Sequence, residues 1–326
     1  MHVFIDTNIL LNFFHFSKDD LDALNDVFAS HEHGSAIVHL TEQVCDEFKR
    51  NREVKIKDAL KRFTDIKYAA QLPYFMKAYE EYDEIRKLSA DLQKKQKSIM
   101  EKVISDITGK NLLADRLIGD IFERSKIIKT TTEVFNSASR RMAIGNPPGK
   151  NNSIGDAINW IVLLYSVPDN EDLHIISEDG DYYSTLNEES VHPFLSEEWA
   201  HKKKSKLYAY RTLSEFMKEH FDGVAFSFDK DKEALIDDLK DAGSFSATHS
   251  LVAQLESYSY FSLKEVNRIL AAAVGNNQFG YIVTDGDVSA FLNRVAVPHM
   301  ANISNDEYKT ILQSAIDVSK KNVNLE

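Results

Sequence analysis

Close to the N-terminus an apolar run, Val3-Phe4-Ile5, ends in a carboxylate, Asp6. The run is too short for a helix and rich in strand-favouring residues, so it is expected to form a buried strand. Thr7 and Asn8 come next, and apolar spacing resumes at Ile9; Asn8 or the Thr7 hydroxyl is expected to cap the following helix. Open α/β sheets bind their ligands beyond the C-terminal ends of their strands, which is where Asp6 would stand. A carboxylate parked there is desolvated at a cost unless something pairs with it. The strand therefore needs parallel neighbours, and the acid needs a partner.

The chain supplies more strand–helix units. Residues 18–30 place Leu21, Leu24, Val27 and Phe28 at helical spacing, and Ser35 to Leu40 reads as a second strand. Thr41 is expected to cap a helix, TEQVCDEFKRN, that carries Glu47. From about 53 to 135 proline and glycine almost vanish and charged helical patterns take over, which predicts an insertion of two long helices in an antiparallel hairpin. Residues 136–155 read as a Gly/Pro/Asn-rich loop carrying Arg140, Arg141 and Lys150. A strongly apolar helix opens at Asp156, a strand spans 173–177, another spans 207–210, and a helix runs from Thr212 to His220. Alternating strands and helices of this kind imply a parallel sheet covered on both faces, a three-layer α/β core. From about residue 226 the pattern suggests helices near 235–239 and 251–255, a helix capped by Ser262, and a strand at 281–288. The expected division is a core domain over 1–222 and a small α-rich domain with minor β content over 223–326.

Composition limits the function. The 326 residues are 43% hydrophobic and 28% charged, as in a globular protein with real cores. A lone cysteine, Cys45, rules out an internal disulfide framework and suits a cytoplasmic setting. No window reaches the roughly 18 apolar residues of a membrane span, and the N-terminal run is broken by Asp6 and Asn8, so neither a membrane helix nor a signal peptide is expected. The net charge of −12 disfavours broad, non-specific nucleic-acid binding without excluding local patches. Two such runs, Lys94 to Lys97 and His201 to Lys206, read most simply as solvated faces. The eleven histidines show no zinc spacing, and no glycine-rich phosphate loop occurs.

Acids carry the chemistry. Asp6 and the pair Asp179 and Asp181 follow predicted strands, Glu47 lies on the helix after the second strand, and Asp156 opens a helix. In a parallel sheet the strand ends share one edge. Carboxylates gathered there repel, so they need protons or a cation. Hard oxygen ligands suit Mg²⁺ or Mn²⁺, which can activate a water against a phosphodiester. Glu42 and Asp46 are alternatives to Glu47, Asp156 could be only a helix cap, and Asp179-Gly180-Asp181 could be only a turn. The run Tyr281 to Asp287 echoes His174 to Asp181, and its end, 284–287, is read as a structural turn after the strand. Tyr182 and Tyr183 could stack on bases, but core packing is the simpler reading.

The ordered set FIDTN, an acid in TEQVCDEF, GDAINW and HIISEDGDYYS resembles the PIN domain, a nuclease fold of the 5′-nuclease-like superfamily. Within it, RRMAIGNPPGK, GDAINW, SEDGDYYS and LSEEW are similar to a bacterial subgroup with a long helical insertion and a C-terminal extension. The resemblance implies Asp6, Glu47, Asp156 and Asp179 as ligands of one or two Mg²⁺ or Mn²⁺ ions; Asp181 is extra to the family pattern, a further ligand or a turn residue. Thr7, Asn8 and Ser177 read as polar neighbours that orient the carboxylates; Arg140, Arg141 and Lys150, in the loop before Asp156, read equally as holders of substrate phosphates or as a solvated loop. The resemblance also implies a metal-dependent endoribonuclease with a role in RNA control, toxin-like or defence-associated; separately, the long insertion helices are a candidate interface for a homo-oligomer or an inhibitory partner. Two alternatives remain: a non-catalytic module that binds RNA or a partner, and a structure-specific DNA nuclease. A dehalogenase-type phosphohydrolase is disfavoured, because its second aspartate is replaced by Asn8.

Overall fold

The computed structural model describes residues 1–29, 36–66, 72–149, 153–221 and 227–323. They divide into two compact units, Met1–Leu213 and Ser214–Glu326.

The first unit opens with strand β1 (His2–Ile5), helix α1 (Thr7–Asn12), a 3-10 turn (Phe13–His15) and helix α2 (Lys18–Phe28). All four β1 residues are buried, as a strand covered on both faces requires. Asp6 itself caps α1: it is extended, and its Oδ1 accepts the Thr7 N–H at 2.7 Å. Thr7 and Asn8 lie inside the helix, which corrects the expectation that one of them caps it. Ser17 and Asp20 close a reciprocal capping box at the start of α2.

The second predicted strand is two short ones, β2 (Ile37–Val38) and β3 (Leu40–Thr41), separated by His39. The N–H groups of Ile37 and His39 donate to the carbonyls of Met1, just before β1, and Val3, within it, whereas β3 pairs with β4 (Ile127–Ile128). Successive residues of a strand point their hydrogen bonds to opposite sides, so one extended segment serves two neighbours.

Helix α3 (Glu42–Asp65) begins at the Thr41 cap and runs far past the sheet, alongside α4 (Glu81–Gly109). Arg52 donates to the Ile107 carbonyl and Gln96 to the Phe63 and Ile66 carbonyls, so the two run antiparallel. Arg52 also grips Asp115 through two bonds of 2.7 and 2.6 Å, tying the hairpin to α5 (Leu113–Arg124). The insertion is thus richer than two helices: it holds α5 and β4 as well.

Helix α6 (Thr132–Ala143) replaces the first half of the expected loop; Arg140 and Arg141 are helical, and Lys150 lies outside the described residues. Then follow α7 (Gly155–Ser166), β5 (Leu173–Ile176), a 3-10 turn (Gly180–Tyr182), α8 (Pro193–Lys203), β6 (Leu207–Tyr210) and α9 (Leu213–His220), which begins at the unit boundary. The basic run at 201–206 is largely the end of α8. Its Lys203 is buried and donates to the Val167 carbonyl at 2.6 Å, as suits a cation at a helix C-terminus.

The main sheet is parallel, in the order β2-β1-β5-β6. From β1 the chain moves outward to β2; from β5 it moves outward the other way, to β6. The order therefore reverses between β1 and β5, and the crevice of an open α/β sheet lies at such a reversal.

The second unit continues with α10 (Ser227–Asp241), α11 (Phe245–Leu255), α12 (Leu263–Gly275), α13 (Asn277–Gly280), α14 (Gly286–Ala296) and α15 (Asp306–Val323). Leu239, Leu255, Ile269, Phe291 and Leu312 centre its apolar core. No strand occurs among its described residues. Tyr281 to Asp285 is a turn leading into α14, against the expected strand and the minor β content. Ser262 caps α12 in a capping box with Glu265, as the sequence suggested. No described helix of the chain is long and apolar enough to cross a membrane.

Candidate active site

The β1–β5 reversal places two of the acids directly. Asp6 follows β1, and its backbone N–H extends the ladder by donating to the Ile176 carbonyl at 3.0 Å. Its carboxylate is buried, 6% exposed, with the Ser177 hydroxyl donating to Oδ2 at 2.5 Å. Ser177 in turn accepts the Asp179 N–H at 3.1 Å, and Asp179 Oδ1 accepts the Asp181 N–H at 2.9 Å. One fully buried hydroxyl thus couples the end of β1 to the turn after β5.

Glu47 and Asp156 arrive on helices. The Thr41 hydroxyl accepts the Val44 N–H at 3.0 Å and donates to Asn159 Oδ1 at 2.6 Å, joining the start of α3 to the first turns of α7. Beside it, the Gln43 amide lies over Gly155, 2.8 Å from where a Cβ would stand, and reaches Glu47 Oε2 at 3.4 Å. Thr41→Val removes both a cap and a buried polar link. It is expected to destabilise the protein by about 2 kcal/mol, with Thr41→Ser near wild type, as read by thermal unfolding.

The acids sense one another. Burial pushes the Asp6 carboxyl up to about 6; the Ser177 and Thr7 hydrogen bonds oppose this, and the charges of Glu47 and Asp179 reinforce it. Burial likewise pushes Asp156 up to about 8, helped by repulsion from Asp6, Asp179, Glu47 and Asp181. Asp156 does not cap α7, whose N-cap is Ile154, and it takes no hydrogen bond among the described residues. The other acids of α3 are engaged elsewhere: Glu42 accepts from Lys129 and the Thr130 N–H, and exposed Asp46 pairs with Lys49. Asp285 and Asp287 lie in the second unit and flank His249.

A family model described as PIN domain matches residues 3–182, more than half of the chain, and its span runs from β1 through the turn that carries Asp179 and Asp181. The chain belongs to the PIN domain family. No curated protein and no solved structure matches it. A PIN domain implies the nuclease superfamily, in which divalent metals and nucleic-acid substrates are general.

The remaining candidates take varied places in this PIN fold. The Thr7 hydroxyl and Asn8 Oδ1 are buried without a hydrogen-bond partner among the described residues. Asp181 is 4% exposed, and its Oδ2 accepts the Gly149 N–H at 3.0 Å, holding the loop before α7. Tyr182 and Tyr183 are core residues, 1% and 2% exposed, so neither offers a face for stacking on a base. Arg140 is exposed on the last turn of α6. Arg141 is not placed to hold a substrate phosphate: it is 5% exposed and forks onto Glu198 at 3.0 and 2.6 Å while donating to the Pro147 carbonyl. Among the described residues no three His, Cys, Asp or Glu side chains are gathered closely enough to hold a metal ion as they stand.

Three contributors escaped the sequence reading. Asn159 sits 1% exposed in an apolar helix, and a buried amide there requires a partner, which is Thr41. Asn12 donates to Glu178 Oε1 at 2.7 Å, tying the end of α1 to the turn after β5. Gln43, one turn before Glu47, holds that carboxylate. Only Asn159 carried a sequence signal, its polarity within INWIVLL.

Proposed function

We propose that this PIN domain protein is a divalent-metal-dependent endoribonuclease in which Asp6, Glu47, Asp156 and Asp179 hold Mg²⁺ or Mn²⁺. The observation that carries the reading is Asp156, a half-buried carboxylate with no described donor, facing the charges of four other acids at the sheet reversal. A group in that field is either protonated or neutralised by a cation. The donors are all hard oxygens, the set that suits Mg²⁺ or Mn²⁺ rather than a softer metal, and the buried Asn8 Oδ1 and Thr7 hydroxyl add oxygen atoms beside Asp6 with partners still to gain. When bound, such an ion supplies charge neutralisation at the phosphodiester and lowers the pKa of water.

The chain's own residues set the rest. Ser177 and the Thr7 N–H fix both oxygens of Asp6, so this carboxylate keeps one orientation. Gln43 reaches one oxygen of Glu47, Oε2, at 3.4 Å. Asp181 anchors the Gly149 loop rather than standing free beside Asp179. Arg140 is the exposed cation of α6 left to meet a phosphate, the role Arg141 gives up to the fold. The single cysteine, Cys45, is buried, which fits a reducing cytoplasmic setting.

The test is cleavage of labelled RNA and of labelled DNA with Mn²⁺, with and without chelator, beside Asp6→Asn. The expected outcome is RNA cutting that needs the metal and falls on the order of 10³-fold in Asp6→Asn, the loss of several kcal/mol of transition-state stabilisation. Undiminished cutting by Asp6→Asn would refute the site. Binding without cutting would point to a non-catalytic module, and cutting confined to DNA to a DNA nuclease.

A further inference from the structure

Of the four carboxylates proposed to hold the cation, three have a donor among the described residues. Asp6 accepts from the Thr7 N–H and the Ser177 hydroxyl, Asp179 accepts from the Asp181 N–H, and Glu47 has the Gln43 amide at 3.4 Å. Asp156 has none. Carboxylates that ligate a metal are themselves held by hydrogen bonds, which fix their orientation. The site is therefore one donor short, at Asp156.

A donor without an acceptor stands in the turn that follows Asp179. Tyr182 ends the 3-10 turn Gly180–Tyr182 and is 1% exposed, and its hydroxyl is buried without a hydrogen-bond partner among the described residues. A buried tyrosine hydroxyl ordinarily finds a partner, and phenylalanine would fill the same space without needing one. The backbone here is fixed: the Tyr182 N–H donates to the Asp179 carbonyl at 3.3 Å, and the Tyr182 carbonyl accepts the His192 N–H at 2.8 Å. The same turn meets the start of α7. Asp181 Oδ2 accepts the Gly149 N–H, and a Cβ at Gly149 would stand 3.7 Å from the Cβ of Ala157, the residue after Asp156. Burial pushes the Tyr182 hydroxyl well above its ordinary value, so it stays a donor; of the charges that add to this, Asp156 comes first, ahead of Asp6, Asp179 and Asp181. Of the other buried hydroxyls without a partner, Thr7 stands beside Asp6, which already has two donors, and Ser166 is at the far end of α7.

On the metal reading of this site, we propose that Tyr182 is the positioning residue for Asp156: its hydroxyl donates to that carboxylate when the cation is bound and holds it in place as a ligand. A hydrogen bond to an ionised acceptor is roughly twice as strong as one between neutral groups. The hydroxyl is thus a burden to the empty fold and an asset to the loaded one. Tyr182→Phe separates the two, because it keeps the ring that fills the core and removes only the donor.

The test is Mn²⁺ affinity by titration calorimetry, with thermal unfolding in chelator, on the full chain as wild type, Asp6→Asn, Tyr182→Phe, Asp156→Asn and the Tyr182→Phe/Asp156→Asn pair. Tyr182→Phe is expected to bind Mn²⁺ about 10- to 100-fold more weakly than wild type. In chelator it is expected to melt at or above the wild-type temperature, since no hydrogen bond is lost there. In the Asp156→Asn background the same change is expected to shift affinity by less than about twofold, because two residues acting through one contact are not additive. Equal Mn²⁺ affinity in Tyr182→Phe and wild type, with Asp6→Asn weakened, overturns this proposal alone. So does a weakened Tyr182→Phe that also melts well below wild type in chelator, which is the mark of a purely structural role. An undiminished effect in the Asp156→Asn background places the acceptor elsewhere and overturns the assignment to Asp156. A wild type that binds no Mn²⁺, or an Asp6→Asn variant that binds as wild type does, overturns the metal reading and this proposal with it.

Discussion

Asp156→Asn is expected to make the metal-free protein more stable while reducing cleavage on the order of 10³-fold. The stability half follows from linkage. The Asp156 carboxyl stands at about 8 in the folded chain against 3.8 for an ordinary aspartate, so at intermediate pH the native state holds a proton that the unfolded state releases. Stability must therefore fall as pH rises from about 4 toward 8, and the full penalty is present above pH 8. Asp6, raised to about 6, adds a loss of the same sign that is complete at lower pH. Asparagine keeps the shape and removes the charge. In chelator at pH 9 the variant should exceed wild type by on the order of a few kcal/mol, with the gap closing near pH 4. Mn²⁺ should raise the melting temperature of wild type strongly and that of the variant little, since a ligand stabilises the state that binds it. Equal melting of the two proteins in chelator at pH 9 would mean that Asp156 carries no strained charge. The same strain that weakens the empty fold is what makes the site attract a cation.

How much of this was legible in the sequence depended on whether local pattern and tertiary packing agreed. At Asp6 they did: a short apolar run ending in an acid is a strand end in almost any α/β context, and the sheet reversal put it in the crevice. The expected cap was misassigned because Asp, Thr and Asn all cap helices, and only the backbone shows that the extended residue is Asp6. Residues 136–143 looked like loop because Asn136, Ser137 and Ser139 are weak helix formers. Burial of Val134, Ala138 and Arg141 on one face overrides that preference. The run Tyr281-Ile282-Val283-Thr284 looked like strand, but strand propensity largely measures packing on a pleated surface. Here Ile282 and Val283 are buried within a helical core, and Asp285 stands at the N-cap of α14. The Thr41–Asn159 link spans 118 residues, and no local pattern could announce it.

Arg141→Ala is expected to destabilise the first unit by about 3–5 kcal/mol, the usual loss on breaking one side of a buried ion pair. The pair is well built: the guanidinium meets Glu198 in a fork, closes the Asn146–Gly149 loop through the Pro147 carbonyl, and lies within 5.7 Å of the Trp160 ring. Glu198 also accepts the Trp160 indole N–H at 2.8 Å, so the cluster fixes α6, α7 and α8 together. Removing the cation leaves a half-buried carboxylate with that one N–H and Lys202 at 3.7 Å. Lysine cannot reproduce the fork, so Arg141→Lys should recover only part of the loss. Arg140→Ala provides the contrast: on an exposed turn it should leave stability within about 0.5 kcal/mol and, if Arg140 meets a phosphate, lower the salt dependence of RNA binding by about one ion. Denaturant unfolding separates the two arginines from binding effects. An Arg141→Ala protein with wild-type stability and a lowered salt dependence would return Arg141 to the substrate and leave Glu198 to be explained some other way. The expected result instead makes two adjacent arginines unlike in function because consecutive residues of a helix point about 100° apart: one braces the loop that leads to Asp156, and one faces outward.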